Sequence, residues 1–272
     1  MDQAEKGRRF RALHAGPDAF VIANAWDGAS ARILAGLGFA ALATSSGAQA
    51  ATLGRLDGKV TREEALAHAR VIVESVDVPV SADLEKGFGD EPEDAAETIR
   101  QAAAAGLVGG SIEDATGDPA RPLFDLGQAV ERVAAAAEAA RSARVPFMLT
   151  ARTENFLRGR LDVDDTIVRL QAFERAGADV LFAPGLPDLA AVRAVCKALT
   201  KPVNFMVAMP GKSFSVAELA DAGVKRISLA TTLYRVALAG LTDAAQEIRE
   251  RGTFTFVDRA LSSKALAEFL KR

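Results

Sequence analysis

The sequence predicts an α/β fold, a (β/α)8 TIM barrel with an extra C-terminal helix. Eight short apolar runs alternate with segments of helical pattern, which is the count and order of such a barrel. Most runs are apolar throughout, as strands buried on both faces of a parallel sheet are. The alternative is an open doubly wound sheet, but the first run is not followed by the glycine-rich phosphate loop typical of that fold.

The predicted strands are spread evenly along the chain. They cover residues 20–23, 40–44, 78–82, 109–112, 146–150, 179–183, 202–207 and 226–230. Two capping boxes, Thr61 with Glu64 and Ser215 with Glu218, predict helix starts between strands. Further predicted N-caps are Asp27, Asp90 and Asp125.

An Ala-Gly pair recurs shortly before several strands, where a glycine can end a helix in the left-handed conformation. These glycines are Gly36, Gly106, Gly177 and Gly223. The tail, 260–270, has the pattern of an amphipathic helix, which needs a surface on its own barrel or on a neighbouring subunit. No Gly/Ser-rich linker divides the chain. We therefore expect one barrel domain over 1–272, with a helical extension over about 253–272.

Composition excludes several classes of function. The net charge is −3 and the basic residues are scattered, which argues against a nucleic-acid partner. No apolar stretch is long enough to span a membrane, and no apolar segment follows the charged N-terminus as in a secretory signal. The single cysteine, Cys196, cannot form an internal disulfide and fits a cytoplasmic protein.

Acidic residues follow three of the predicted strands. Asp83 and Glu85 come at the end of the third strand, Glu113 ends the fourth, and Asp57 lies in the loop after the second. The carboxyl ends of barrel strands meet at one face, and an extended chain would point Asp83 and Glu85 the same way. Oxygen ligands without histidine suit Mg²⁺ or Mn²⁺. The alternative is that these acids are loop caps or solvated charges.

Other polar residues at strand ends suit a small anionic ligand. The guanidinium of Arg152, after the fifth strand, matches a carboxylate or a phosphate; the alternative is an ion pair with Glu113 or Glu154. Hydroxyls and backbone N–H groups after the second strand could hold a carboxylate or an oxyanion, or could simply form a turn. The further candidates are Trp26, Ser45, Ser46, Gly47 and Asn204.

Taken together, the motifs resemble the isocitrate lyase/phosphoenolpyruvate mutase superfamily. The acid pair with its Gly-aromatic-Gly turn is 83–89, the Ile-Glu-Asp motif is 112–114, and the Ala-Arg-Thr-acid motif is 151–154. Segments 46–47, 54–57 and 176–179 match as well, and the resemblance covers roughly residues 18–235.

The resemblance implies roles for these residues. Asp57, Asp83, Glu85 and Glu113 would hold Mg²⁺, partly through water. Ser45, Ser46, Gly47 and Arg152 would hold the carboxylate or oxo group of the substrate. Beyond the resemblance, we expect Trp26, Asp83 and Asn204 to join them in substrate binding. We expect Arg152, Glu113 and Asp57 to be the catalytic residues. Family members act on 2-oxo or 2-hydroxy carboxylates beside a metal-stabilised enolate. They are commonly tetramers that exchange the last barrel helix, so we expect a homodimer or homotetramer with C-terminal helix exchange.

Two departures bear on the reaction. Segment 115–124 lacks the Lys-Lys-Cys-Gly-His motif of the lyase branch and the lysine and asparagine of the mutase branch, and Glu85 replaces an aspartate. Because CO₂ leaves without a general acid, we expect decarboxylase-like or lyase-like cleavage of a C–C bond in an acid such as oxaloacetate. The first alternative is a lyase whose proton donor is Glu154, Tyr234 or a metal-bound water. The others are a phosphonopyruvate-type P–C bond enzyme and a non-catalytic 2-oxo acid binding protein.

Overall fold

The structure, a computed structural model, describes residues 1–271. Within them, eight parallel strands close into a barrel in which each strand pairs with the next and β8 pairs with β1. The strands are β1 Phe20–Asn24, β2 Leu42–Ala43, β3 Val80–Asp83, β4 Gly109–Glu113, β5 Met148–Arg152, β6 Val180–Phe182, β7 Val203–Met206 and β8 Arg226–Ser228. The predicted TIM barrel is confirmed, and every predicted run overlaps one of these strands.

Helices cover the outside of the barrel and one end of it. Within the described part they are α1 Gln3–Ala15, α2 Gly28–Gly36, α3 Ser46–Thr52, α4 Arg62–Ser75, α5 Pro92–Ala104, α6 Leu126–Arg141, α7 Val163–Arg175, α8 Leu189–Lys197, α9 Val216–Asp221, α10 Thr232–Arg251 and α11 Ser263–Leu270. Short 3-10 turns occur at Phe156–Arg158 and Thr255–Arg259.

The N-terminal helix closes the lower end of the barrel. Phe10 of α1 is fully buried among Ile22, Met148 and Val180, which come from β1, β5 and β6. A Cβ atom on Gly109 would lie 2.8 Å from the Phe10 ring, so β4 has a glycine where the ring enters. With this end filled, the polar cavity inside the barrel faces the C-terminal ends of the strands.

Helix starts follow the predicted caps with one exception. Both capping boxes form, and the Asp27 side chain accepts from the Ser30 N–H at the start of α2. The prediction of Asp90 as a cap was wrong, because Glu91 directly precedes Pro92 and takes the N-cap position of α5. Asp125 occupies its predicted N-cap position, although its side chain makes no capping hydrogen bond.

The prediction that a glycine ends the helix in the left-handed conformation is correct at three of four helix ends. Gly106, Gly177 and Gly223 have positive φ angles of 94°, 106° and 96°. At the first site the prediction of Gly36 was wrong, because the helix continues through it and Gly38, with φ 95°, makes the left-handed turn instead.

The last two helices differ in what they cover. Helix α11 lies within the predicted extension and packs against α2, where Arg32 donates to the Leu270 carbonyl oxygen. The final residue of that extension, Arg272, lies outside the described residues. Helix α10 leaves large apolar side chains in solvent: Leu238, Leu241 and Ile248 are 38%, 65% and 41% exposed. These three share one side of the helix, since they are spaced by three and seven residues.

Candidate active site

Ser46 and Asp83 join the ends of β2 and β3. The Ser46 hydroxyl donates to Asp83 Oδ2 across 3.0 Å, and the Ser46 N–H approaches the same oxygen at 3.3 Å. The Asp83 N–H donates to Thr44 Oγ1 at 3.0 Å. Parallel pairing of the two strands, with Ala43 opposite Ser81, brings these groups together. The carboxylate of Asp83 is thereby held in one orientation at the barrel mouth.

The chain turns sharply after Asp83, so it does not stay extended to Glu85, which is the condition on which the two side chains were expected to point the same way. Leu84 is fully buried and Glu85 has a φ of +49°. The Glu85 carbonyl oxygen then accepts from the Glu113 N–H at 3.0 Å, which ties the turn to β4. A left-handed non-glycine residue costs free energy and is typical of functional turns.

Glu85 holds its carboxyl group in an unfavourable place for negative charge. Burial, then the charges of Asp83 and Asp57, raise the pKa of Glu85 to about 7. Asp57 itself is exposed, and its Oδ2 lies 3.2 Å from where a Cβ atom on Gly47 would be. Loop 53–60 therefore brings a third carboxylate over the start of α3, on the same side of the barrel as Asp83.

Arg152 lies among three acids at the end of β5. Its Nη1 is 3.4 Å from Glu113 Oε2 and 3.9 Å from Asp83 Oδ1, and its Nε donates to Glu154. Burial alone would lower the pKa of Arg152, but these acids together raise it. Burial also raises the pKa of Glu113 well above its usual value, against the opposing effect of Arg152. The ion pairs that were the alternative reading of Arg152 are thus both present.

A buried ion pair beneath the mouth holds Glu154 in place. Asp114 accepts from the Glu154 N–H at 2.8 Å and from Thr153 Oγ1 at 2.8 Å. Its other partner is Arg169 of α7, whose Nη1 lies 3.1 Å from Asp114 Oδ2. The Asp of the Ile-Glu-Asp motif therefore acts as a support for the Ala-Arg-Thr-Glu motif, joining β4, β5 and α7.

Three further predicted ligand-binding residues lie near this mouth, and each makes a different contact within the protein. Ser45 uses its hydroxyl to cap α3, accepting from the Ala48 N–H at 3.3 Å. Trp26 packs edge-on against Tyr234 with ring centroids 5.4 Å apart. Asn204 lines the barrel cavity, and its amide donates to Ser228 Oγ at 2.9 Å. Their binding roles stay predictions.

A cavity of about 60 Å³ lies inside the barrel beneath these residues. Asp83 and Arg152 line it at the mouth, and Ser81, Ser111 and Arg226 line its wall. Its lining combines these hydrogen-bonding side chains with apolar ones such as Ile22, Phe182 and Met206. The arrangement can therefore bind a compact polar molecule within reach of the Arg152 cluster.

The donor set fits a hydrated divalent cation. Among residues 1–271, no three His, Cys, Asp or Glu side chains form a ready-made metal site. The carboxylates of Asp83, Glu85 and Asp57 are nevertheless close enough for the first and last to raise the pKa of the second. Mg²⁺ usually takes one or two carboxylates and keeps several waters, so hard oxygen donors in this arrangement suit Mg²⁺ or Mn²⁺.

Comparison with known proteins identifies the family. The family model of phosphoenolpyruvate phosphomutase matches residues 10–249. The chain belongs to this family. It lies within the isocitrate lyase/phosphoenolpyruvate mutase superfamily, as the sequence motifs predicted.

Individual relatives match nearly the whole chain. An oxaloacetate decarboxylase from Paraburkholderia xenovorans (strain LB400) is 32% identical over 271 residues, covering 96% of this chain and 88% of that protein. A 2-methylisocitrate lyase from Escherichia coli (strain K12) is 27% identical over 263 residues, covering 93% and 88%. The crystal structure of a candidate lyase/mutase from Burkholderia cenocepacia J2315 superposes with a TM-score of 0.97 at 49% identity, covering 99% of this chain and 97% of that one.

Sequence reasoning left out two groups that the structure brings to the site. One is the supporting pair Asp114–Arg169, which only the fold places together. The other is Arg226, the first residue of β8, which is 5% exposed and reaches into the barrel. A charged residue opening an otherwise buried strand was the signal available in the sequence, since arginine is rarely buried without a reason.

No helix in residues 1–271 has the length and apolar character that crossing a membrane requires.

Proposed function

We propose that the protein is an enzyme that cleaves a C–C bond in a small 2-oxo carboxylate with the help of Mg²⁺ or Mn²⁺. Loss of a β-carboxyl group, as from oxaloacetate, is the leading reaction. The observation that carries the proposal is the cluster of Arg152 with Asp83 and Glu113 over a small polar cavity, in a family of lyases and decarboxylases.

The metal would lie among the acids at the mouth. Members of the superfamily typically depend on a divalent metal, and the residues that would hold it here are Asp83, Glu85, Glu113 and Asp57, partly through water. When bound, such an ion supplies a Lewis acid beside the 2-oxo group. Ser46 fixes Asp83 for this role, because it donates two hydrogen bonds to one oxygen and leaves Asp83 Oδ1 turned toward Arg152.

Arg152 and the start of α3 would orient the carboxylate next to the oxo group. The guanidinium is held by Glu113 and Glu154, so it can present a fixed edge to the ligand with little loss of side-chain freedom. The N–H groups of Ser46 and Gly47 lie at the same mouth. Trp26, Ser45 and Asn204 complete the proposed binding set, the last from within the cavity.

Glu113 is the proposed proton carrier. Burial raises its pKa well above the usual value, against the opposing effect of Arg152, and this favours the protonated carboxyl group. After CO₂ departs, the carbon that bore it must gain a proton, and Glu113, whose Oε2 lies 3.4 Å from Arg152 Nη1, would donate it. This role needs no cysteine, which agrees with the composition of segment 115–124.

The test is a screen for Mg²⁺-dependent turnover. Oxaloacetate, 2-methylisocitrate and 2,3-dimethylmalate are incubated with protein and Mg²⁺, with Mg²⁺ alone as the background. We expect oxaloacetate loss above background, and Asp83→Ala should lower the rate at least about 100-fold by removing the main metal-binding carboxylate. The control is Asp77→Ala, since Asp77 is exposed and pairs only with the N-terminus. A full rate in Asp83→Ala would contradict the proposal, and release of pyruvate or a related oxo acid from the larger substrates would favour the retro-aldol reaction.

We also propose that two subunits exchange C-terminal helices, as a dimer or within a tetramer. What supports this is α10, whose stripe of Leu238, Leu241 and Ile248 is exposed on the single chain. A surface stripe of that kind normally contacts a partner. A cytoplasmic location remains a proposal that rests on the free Cys196.

A further inference from the structure

We propose that His14 and Arg226 are positioning residues for Asn204, in a chain of hydrogen bonds that runs from the N-terminal helix to the wall of the barrel cavity. In this chain Arg226 fixes which end of the Asn204 amide the ligand meets, and His14 holds Arg226 from below. The inference rests on the proposed function, because Asn204 belongs to the proposed binding set.

Arg226 determines the orientation of the Asn204 amide. Arg226 Nε donates to Asn204 Oδ1 at 2.8 Å, and the Asn204 amide nitrogen donates to Ser228 Oγ at 2.9 Å. A guanidinium has donors only, so the carbonyl end of the amide must face it. The amide nitrogen carries two hydrogens, of which Ser228 takes one. Since Asn204 lines the cavity, the second hydrogen is what it can offer to a ligand oxygen.

The Arg226 side chain is buried, and two of its three nitrogens have partners. Besides the bond to Asn204, Nη2 donates to Thr150 Oγ1 at 2.9 Å on β5. Burial lowers the pKa of Arg226 to about 9, so the group is still a cation and a donor at neutral pH. The third nitrogen, Nη1, is buried and makes no hydrogen bond to any described residue. A buried donor normally has a partner, and the partner of Nη1 would complete the fixing of the guanidinium.

His14 has an acceptor that matches this donor. Its Nδ1 lies 2.8 Å from the Phe10 carbonyl oxygen, which can only accept, so Nδ1 carries the proton. Burial, then the charge of Arg226, lowers the pKa of His14 to about 3, and the ring is therefore neutral. In a neutral ring with the proton on Nδ1, Nε2 is an acceptor. This nitrogen is also buried without a hydrogen bond to any described residue.

Both groups lie at the floor of the barrel beside Phe20. Phe20 pairs with Arg226 in the register of β1 and β8, which places their side chains on the same side of the sheet. The His14 ring packs edge-on against Phe20 with ring centroids 5.0 Å apart. Two buried polar groups left unpaired would each cost free energy, and a donor and an acceptor in one region remove that cost together. The chain therefore runs from His14 Nε2 to Arg226 Nη1, directly or through one internal water.

A double-mutant cycle on ligand binding tests the link from Arg226 to Asn204. Pyruvate, the 2-oxo acid that loss of CO₂ from oxaloacetate leaves, is titrated with Mg²⁺ while fluorescence of Trp26, the single tryptophan, is recorded. Arg226→Met removes the donors, and an apolar side chain in place of a buried charge often leaves stability unchanged. We expect the Kd to rise about 10-fold in Arg226→Met and at least as much in Asn204→Ala, with no further rise in the double variant. Additive effects of the two substitutions would overturn the proposal.

A second set of variants tests the role of His14. His14→Phe keeps a ring between Phe10 and Phe20 but removes the acceptor, and the Kd should rise about 3- to 5-fold. His14→Gln keeps an acceptor and should restore the Kd to within about two-fold of wild type. The control is Lys225→Gln, because Lys225 Nζ donates to the Gly16 and Pro17 carbonyl oxygens just after α1 and so loosens the same helix end. Equal weakening in His14→Phe and Lys225→Gln would show a general loosening and overturn the role of His14.

Nitrogen NMR of the imidazole rings tests the link from His14 to Arg226 without any ligand. The chain has two histidines, so labelled histidine gives two sets of ring signals, and His68→Gln assigns them. We expect the Nε2 signal of His14 to move in Arg226→Met while the signals of His68 stay. A His14 signal that does not respond would overturn this link, whatever the protein binds. If wild type binds no pyruvate but the His14 signal responds, the proposed function fails, and with it the role toward the ligand, while the link itself stands.

Discussion

Ser46 Oγ lies 3.0 Å from Asp83 Oδ2, and this contact joins two strand ends that are 37 residues apart in the chain. It means that the proposed metal-binding carboxylate is oriented by a hydroxyl from the neighbouring loop before any ligand arrives. Ser45, the preceding residue, has the same side chain but a different task, since its hydroxyl caps α3. The pair therefore allows a hydroxyl that orients Asp83 to be compared with one that caps α3.

Ser46→Ala should weaken metal binding. Removing a hydrogen bond that orients a ligating carboxylate typically costs about 10- to 100-fold in affinity or activity. Calorimetric titration with Mg²⁺ and Mn²⁺ measures the loss. Ser45→Ala is the control, with about 1 kcal/mol of stability lost from the helix cap and metal affinity kept. Equal metal affinity in the two variants would remove Ser46 from the site.

The apo protein should lose stability as the pH rises from about 4.5 to about 7, because of Glu85. Its folded pKa is raised to about 7, above the usual value of 4.5, so the folded state binds more protons than the unfolded state between those values. Unfolding free energy therefore falls as pH rises through this window. Mg²⁺ should reverse the loss, more strongly at the higher pH, since there it no longer competes with a proton.

Glu85→Gln isolates this effect. His14 acts in the opposite sense, because burial lowers its pKa to about 3 and acid below its usual value of 6.5 favours unfolding. That contribution is common to both proteins and cancels in the difference between wild type and Glu85→Gln. Urea unfolding at several pH values, with EDTA or Mg²⁺, measures the difference. A wild-type profile parallel to that of the variant would show that Glu85 does not titrate in this range.

Ala230→Gly should stabilise the protein. Ala230 lines the cavity with a φ of +49°, and a left-handed alanine costs about 1–2 kcal/mol that glycine avoids. Glycine also has a larger conformational entropy in the unfolded state, which offsets part of this gain. We expect the unfolding free energy to rise by about 1 kcal/mol, which corresponds to roughly 2 °C in Tm by calorimetry. Ala67→Gly, on the exposed face of α4, is the control and should instead lose about 1 kcal/mol. A fall in Tm for Ala230→Gly would mean that its contacts outweigh the backbone strain.

Leu241→Lys should dissociate the proposed assembly. Leu241 is 65% exposed on the single chain, so a lysine there leaves the barrel intact but places a charge in the proposed interface. Light scattering after size-exclusion chromatography gives the mass, which should fall from a multiple of the chain mass toward one chain. Val168→Lys, at a 48% exposed position of α7, serves as the control and should keep the assembly. Wild type with the mass of a single chain would contradict the proposal outright.

The barrel and its family were readable from the sequence, because they depend on local pattern. Apolar runs, capping boxes and helix-ending glycines are properties of a few neighbouring residues, and the apolar runs are repeated eight times along the chain. The motifs around Asp83, Glu113 and Arg152 are likewise short stretches of neighbouring residues. Even the errors were local ones: a cap one residue later at Glu91, and a turn at Gly38 rather than Gly36.

Only the tertiary structure decided which charges balance one another. Arg152 and Arg226 are both arginines beside buried strands, and no local rule tells that the first faces three acids and the second none. The turn at Glu85, the support of Glu154 by Asp114 and the exposed stripe of α10 likewise depend on which distant elements approach. Electrostatic free energy follows distance in space and burial, and closure of the barrel sets both.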